Sequence, residues 1–328
     1  MNDAAHDIRH AADLLRRGRL VAFPTETVYG LGADAFNEGA VRAVYEVKGR
    51  PPVNPLIVHV SGPEMARRVV AEWTDRADAL AREFWPGPLT IVLPRRTGRN
   101  GLPPIVTAGG PNVAVRCPDH PVALALLFEF GGPLVGPSAN PSGTVSPTTP
   151  EHVRAGFPGP EVFVLDGGAC RCGIESTVLS LAGDVPRVLR PGLISAAEVE
   201  RVLGERVESE AVSGAPGHGG AMESPGLLAR HYAPRTPAHL FDAADWPRVL
   251  EDDRGSRAAV LTLGPRDVPA PHVAIPMPRR AEEYAAALYA RLREADAAGA
   301  ARVLIERPPT DSALWGAIGD RLRRATAE

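Results

Sequence analysis

A single lysine stands in this chain of 328 residues. Of the 36 basic residues the other 35 are arginine, and glutamine is absent. Where composition favours arginine so strongly, a surviving lysine is a candidate for a place that arginine cannot fill. Lysine is a compact point charge on a flexible stem, whereas arginine is a wide planar fork. Chance survival explains the same count, and composition does not choose between the two. Lys48 opens one of six polar segments attached to apolar stretches: residues 24–30, 48–59, 107–116, 136–147, 173–177 and 189–192. Taken singly, each has a bland explanation. Pro, Gly, Ser and Asn make turns. Arg116 suits a surface, His59 a core position bonded to the backbone, and Glu175 a helix cap or rim. Standard nucleotide signatures are missing: neither G-x-x-x-x-G-K-[ST] nor G-x-G-x-x-G occurs, and Gly30-Leu-Gly32 is too short to count. Cys170-Arg-Cys172 is one residue too tight for a C-x-x-C zinc site.

The elements that must carry these segments follow from periodicity. Residues 8–20 read as a helix with Ile8, Ala12, Leu14 and Leu15 on its apolar side, and 20–23 as a short buried strand. Asn37 can cap a helix carrying Val41, Val44, Tyr45 and Val47, and Gly49 falls where helices stop. Lys48 therefore sits at a helix end, with Arg50 just beyond. Residues 56–60, 89–93, 113–116, 134–135, 162–165 and 177–181 read as strands, separated by helical patterns such as 65–83 and 122–129. This mixed alternation predicts an α/β fold with a large, twisted, open mixed sheet. The strand order does not follow from the sequence.

Character changes over 206–238. Residues 213–220 have no periodicity and read as a flexible linker. Ser224-Pro-Gly226 and His231-Tyr-Ala-Pro234 are denser in functional side chains than a passive linker needs. Beyond it, strands over 258–263 and 302–305 and helices over 282–293 and 313–323 predict a smaller C-terminal α/β, Rossmann-like domain. The expected division is 1–205, a linker or lid at 206–238, and 239–328.

Composition sets the outer limits. The chain is 44% hydrophobic and 23% charged, ordinary for a globular protein. It has no apolar run of about 18 residues, so no membrane span is expected. Its first residues do not read as a signal peptide. Three cysteines make no disulfide framework and fit a reducing cytoplasm. A net charge of -3 argues against a general polyanion binder.

Together, the Pro-Thr-Glu-Thr-Val-Tyr-Gly, Lys-x-Arg (48–50) and Ser-x-Asn (138–140) segments resemble the YrdC/Sua5 family of threonylcarbamoyl-AMP synthases. Residues 8–205 resemble the synthase domain, and the remainder resembles the longer, two-domain Sua5 branch. The resemblance implies condensation of L-threonine, bicarbonate and ATP to threonylcarbamoyl-adenylate with release of pyrophosphate. Other proteins then transfer the group to adenosine 37 of tRNA, forming t6A. Nucleophile and electrophile are both anionic, so catalysis must supply positive charge and placement. The resemblance assigns Lys48 and Arg50 to catalysis, Lys48 neutralising the carbamate or α-phosphate. It assigns Arg50, Asn54, Asn112, Ser138, Asn140, Ser146, Arg190 and Tyr232 to ATP. It assigns Thr27, His59, Arg116, Gly136 and Ser176 to threonine, with Arg116 on the carboxylate. Asn112 stands where the family often has threonine, which makes its contact the least secure. Tyr232 implies a linker that closes as a lid; simple anchoring of the linker is the alternative. Magnesium would arrive with ATP, and no metal ligands are named.

Three readings stay open at this level: the synthase, a noncatalytic RNA-binding module, and a carbamoyltransferase. Related domains occur in carbamoyltransferases, usually fused to large domains for which this length leaves no room. Weak RNA binding is also left open beside the synthase reading. Oligomeric state and the role of the C-terminal domain are not legible.

Overall fold

The computed structural model describes residues 2–209, 222–224, 226, 228–246, 248–253 and 256–327. The predicted flexible stretch at 213–220 lies outside them. The described elements run α1 (Asn2–Arg16), β1 (Leu20–Phe23), β2 (Gly30–Asp34), α2 (Glu38–Lys48), β3 (Ile57–His59), α3 (Pro63–Ala66), α4 (Asp75–Phe84), β4 (Leu89–Pro94), β5 (Asn112–Arg116) and α5 (Pro121–Phe130). They continue with β6 (Leu134–Val135), α6 (Pro150–Gly156), β7 (Val162–Val164), β8 (Thr177–Ser180), β9 (Arg187–Arg190) and α7 (Ala196–Leu203). After the linker come β10 (Ala238–Phe241), β11 (Ala258–Leu263), β12 (Val273–Met277), α8 (Ala281–Ala297), β13 (Arg302–Glu306) and α9 (Ala313–Ala325).

Nine strands form one mixed sheet in the order β7-β1-β2-β6-β3-β5-β4-β8-β9. Four form a second, all-parallel sheet in the order β10-β13-β11-β12. This is the expected α/β architecture, with the strand order that periodicity could not supply. The central strands of the large sheet are buried and apolar, as strands covered on both faces must be. Val28, Val145, Ile174 and Tyr232, all outside the second sheet, join the buried cluster formed by β11, β13, α8 and α9. The two sheets are thus joined through a shared apolar contact.

One local reading changes. The helix read over 65–83 is broken into α3 and α4. Thr74 caps α4 by accepting from the Ala77 amide, and Val70 bridges to Arg95 beside β4. A tertiary contact therefore claims the segment that periodicity gave to a helix. Gly30-Leu-Gly32 is part of β2, not a phosphate loop. A Cβ on Gly32 would lie 2.9 Å from the Val21 carbonyl, so glycine serves close strand packing there.

Helix α2 ends as its residues dictate. Asn37 accepts from the Ala40 amide at 3.1 Å. Gly49 adopts φ 58°, a left-handed conformation that costs glycine nothing. Its amide returns to Glu46 and that of Arg50 to Tyr45.

Candidate active site

The cavity lies where several strands end. β3 finishes at His59 and β5 at Arg116, and these two are register partners in a parallel pair. β6 runs against β3, so that Gly136 follows it and donates its amide to Ile57. β9 finishes at Arg190. Strand pairing alone thus brings together residues separated by more than a hundred positions.

Thr27, His59, Arg116 and Gly136 line the cavity. Thr25 donates to the Val28 carbonyl at 2.6 Å and accepts from Thr27 at 2.9 Å, which curls the loop after β1 and sets Thr27 on the wall. His59 is buried, stands edge-on to Phe23, and leaves Nδ1 without a hydrogen bond. Burial, reinforced by Arg116, holds its pKa well below the usual histidine range, so the ring is neutral at pH 7. Arg116 donates Nε to the Gly87 carbonyl, and its Nη2 stands 2.7 Å from Glu26 Oε1. That pair is close, but its alignment is not that of a hydrogen bond: both Glu26 oxygens and Arg116 Nη2 are without one.

Arg50, Ser138, Arg190 and Tyr232 line the same cavity, with Arg50, Arg190 and Tyr232 near one another. Arg50 donates to the carbonyls of Asn54 (3.0 Å) and Pro55 (2.7 Å). Burial pushes its pKa down to about 10, and nearby Arg190 adds to the effect. Arg190 donates Nε and Nη2 to the Ser176 carbonyl and Nη2 to the Ser176 hydroxyl. Burial lowers its pKa also. Tyr232 is buried with φ 62°, an uncommon conformation for a residue with a side chain. Its hydroxyl makes no hydrogen bond among the described residues.

Six of the expected site residues are not on the cavity wall. Five of them stand directly behind it. Lys48 donates Nζ to the carbonyls of Ser138 (2.6 Å) and Asn140, while its own carbonyl accepts from the Ser142 amide. This departs from the expectation that the ammonium faces the α-phosphate. The helix stops at Lys48 and the chain turns away at Gly49, leaving the side chain beneath the 138–142 loop. Burial holds its pKa well below the lysine range, with Arg50 contributing. Asn140 donates to Pro141 and Thr144 and shapes the same loop. Ser146 donates to Glu175 (2.7 Å), and Ser176 bonds Thr90 (2.8 Å). Asn54 is fully buried with its whole side-chain amide unpartnered, one shell from the cavity through Arg50. Asn112 is the outlier. It opens β5 at the end opposite Arg116, four residues or roughly 13 Å away at strand rise.

Thr25, Glu175, Gly226 and His231 line the cavity without having been singled out as site residues. Each lay inside or beside a polar segment, which was the available signal. Burial pushes the His231 pKa down to about 3. Burial also raises the Cys117 and Cys170 thiols to about 12, so neither is a thiolate nucleophile at pH 7.

Among the described residues no group of three or more His, Cys, Asp or Glu is arranged to hold a metal. Glu175 is the acidic side chain on the wall, and its oxygens already accept three hydrogen bonds. A magnesium ion carried by substrate phosphates fits this donor set; an all-protein cage does not. No described helix is long and apolar enough to cross a membrane.

A mixed nine-stranded sheet with a buried, cation-lined cavity at its strand ends, joined to a small parallel-sheet unit, defines an α/β protein built for a small anionic ligand. The Sua5/YciO/YrdC family model, described as "Telomere recombination", matches residues 13–192. A second, described as "Threonylcarbamoyl-AMP synthase, C-terminal domain", matches 194–327. The chain belongs to this family, in its long Sua5 form. Threonylcarbamoyl-AMP synthase of Bacillus subtilis strain 168 is 41% identical over 327 residues, covering 97% of this chain and 92% of the relative. The Pyrococcus abyssi enzyme of that name is 39% identical over 327 residues, covering 97% and 94%. The crystal structure of P. abyssi Sua5 complexed with L-threonine matches with a TM-score of 0.88 at 38% identity, again covering 97% and 94%.

Proposed function

We infer that this chain is an L-threonylcarbamoyladenylate synthase, a nucleotidyltransferase acting in the first step of tRNA t6A formation. What carries the reading is likeness over nearly the whole chain to a threonine-bound relative, combined with a cavity whose lining suits two anionic substrates.

Threonine occupies the wall of Thr27, His59, Arg116 and Gly136. The Arg116 guanidinium receives its carboxylate, a planar fork against a planar anion. Neutral His59 offers Nδ1 as an acceptor for the amino or hydroxyl group. A wall that pairs the substrate hydroxyl disfavours valine, which would leave those groups unpaired. The amine combines with bicarbonate to give a carbamate and water. A carbamate oxygen then attacks the α-phosphorus of ATP, and pyrophosphate leaves. Arg50 and Arg190 offset the charge that gathers on the phosphates in a dry site, where such charges act strongly. Ser138, with Asn54 behind it, supplies neutral hydrogen bonds to the nucleotide. Lys48 acts one step back, fixing the 138–142 loop. Tyr232 closes the cavity and excludes water from a labile adenylate. Magnesium enters with ATP. The product passes to proteins that transfer the threonylcarbamoyl group to tRNA, in the cytoplasm.

The test is pyrophosphate release from ATP and bicarbonate with L-threonine, L-valine or no amino acid. Release with L-threonine should exceed the other two by at least about tenfold, roughly 1.4 kcal/mol of discrimination. Equal release in all three would overturn the assignment.

A further inference from the structure

We propose that the C-terminal unit is part of the nucleotide subsite, because its Tyr289 and Arg321 hold Glu175 as a positioning residue for Ser146 and Tyr232. This rests on the synthase reading and goes beyond it.

Glu175 is buried on the cavity wall, and every donor it meets is accounted for. Oε1 accepts from Ser146 at 2.7 Å. Oε2 accepts from the Tyr289 hydroxyl at 2.8 Å and from Arg321 Nε at 2.9 Å. Ser146 belongs to the large sheet's side; Tyr289 and Arg321 lie on α8 and α9. The carboxylate is therefore a three-way junction between the units. Burial alone would raise its pKa, but Arg321 and Arg190 outweigh that and lower it, so the junction is ionised at neutral pH.

Arg321 is 0% exposed, the largest fully buried side chain among the described residues. A cation there needs several partners, and it has them. Nη2 donates to the Pro191 carbonyl at 3.0 Å, next to Arg190, and Nη1 to Asp320. Its guanidinium carbon also stands 5.5 Å from the Tyr232 ring centroid, and Tyr289 stacks on that same ring at 5.8 Å. The two residues that grip Glu175 thus also pack against Tyr232. Helix α9 also pins the linker: Arg324 donates to the Leu228 carbonyl, and its own carbonyl accepts from the His231 amide. Gly173, at φ 78°, lets the loop before Glu175 meet α8; a Cβ there would fall 2.2 Å from the Ala285 carbonyl.

Passive glue between units would need apolar contact, and that contact exists separately. An ionised junction ending on Ser146 and Tyr232 does something different. It ties Ser146, behind the cavity wall, and Tyr232, on it, to the seating of α8 and α9. Among the described residues Thr27, His59, Arg116 and Gly136 make no hydrogen bond to Tyr289 or Arg321 and should feel the change far less.

The experiment is Tyr289→Phe, which keeps the ring and removes one hydrogen bond, with Arg321→Lys as a second variant. L-threonine and a nonhydrolysable α,β-methylene ATP are titrated calorimetrically, and KM for ATP is read from threonine-dependent pyrophosphate release. Tyr289→Phe should weaken the ATP analogue and raise KM for ATP by about five- to tenfold. L-threonine affinity should stay within twofold of the parent. Ser146→Ala combined with Tyr289→Phe should cost less than the sum of the two, since both act through Glu175. Unchanged ATP affinity would overturn the proposal, and so would equal weakening of threonine, which marks general interface damage. Absent threonine-dependent release by the parent would instead overturn the synthase reading.

Discussion

Gly136→Ala tests the threonine wall at its tightest point. A Cβ built on Gly136 lies 2.6 Å from His59 Nδ1, 2.8 Å from its Cε1 and 3.0 Å from Phe23 Cζ. Ordinary contact begins at 3.4 Å, so the imidazole must retreat by about 0.8 Å (3.4 less 2.6). It has little room, because the Phe23 ring stands edge-on to it at 5.3 Å and crowds the new methyl as well. Misplacing a substrate-facing group by about 1 Å costs on the order of 10²-fold. The methyl also occupies space beside the unpaired Nδ1 that the substrate would use. L-threonine affinity and kcat/KM for L-threonine should therefore fall by roughly 30- to 100-fold. Overpacking should cost about 1–3 kcal/mol of stability, read from the urea midpoint. The ATP analogue should lose far less, since the new methyl meets His59 and Phe23 and neither Arg50 nor Arg190. Gly316→Ala is the control. It lies within α9 with nothing near its Cβ, and should gain about 0.4–1 kcal/mol with activity unchanged. Threonine affinity within threefold of the parent in Gly136→Ala would refute the placement of the amino acid beside His59.

Lys48→Arg asks whether a compact charge is required. The ammonium sits between two carbonyls of one loop, a space that a guanidinium cannot enter without moving the loop. At least tenfold loss of kcat/KM is expected, and full activity would show that the lone lysine is a compositional accident. Acid should also destabilise the fold well above the carboxylate range. His59 and His231 are buried with depressed pKa values, so below about 6.5 the unfolded chain binds protons that the native chain refuses. Their stabilisation is present above pH 6.5 and is lost as pH falls toward the folded values, about 3 for His231. Each contributes up to about 1.4 kcal/mol per pH unit in that window. Urea unfolding between pH 6.5 and 5 should reveal the slope, and His231→Asn should make it shallower; a flat profile would refute it.

Much of the site was legible because it rides on local patterns. Asn37 and Gly49 bound α2 through cap chemistry, and that places Lys48 at a helix end. His59 lies within, and Arg116 ends, an apolar run that reads as a strand. What could not be read is which chain segments meet. Lys48 is satisfied by backbone carbonyls, which carry no side-chain signature. Glu175 looked like a cap because its partner Arg321 lies 146 positions away on another unit. The helix over 65–83 failed for the same reason: a bridge to Arg95 is invisible to periodicity. Asn112 carried the right chemistry for a nucleotide contact, but β5 sets it at the far end of the strand from Arg116.

The electrostatics give these placements a common logic. Burial lowers the proton affinity of Lys48, Arg50 and Arg190, and a neighbouring guanidinium adds to the effect in each case: Arg50 beside Lys48, Arg190 beside Arg50 and Arg321 beside Arg190. A protein gains nothing in folding from such an arrangement, since buried cations cost free energy unless paired. The nearest carboxylates relieve it only in part: Glu175 attracts Arg190. Glu26 is turned toward Arg116, and Glu175 is claimed by Ser146, Tyr289 and Arg321. Carbonyl oxygens take up much of the remaining demand, holding each cation in a fixed direction without cancelling its charge. Net positive charge is thereby concentrated at the cavity while the chain as a whole carries -3. A ligand with several negative charges offsets the repulsion that these cations meet, and does so most fully when its charge is greatest. For a reaction in which one anion attacks another, that point is the transition state, so free energy stored as strained burial in the fold is released where the barrier is highest.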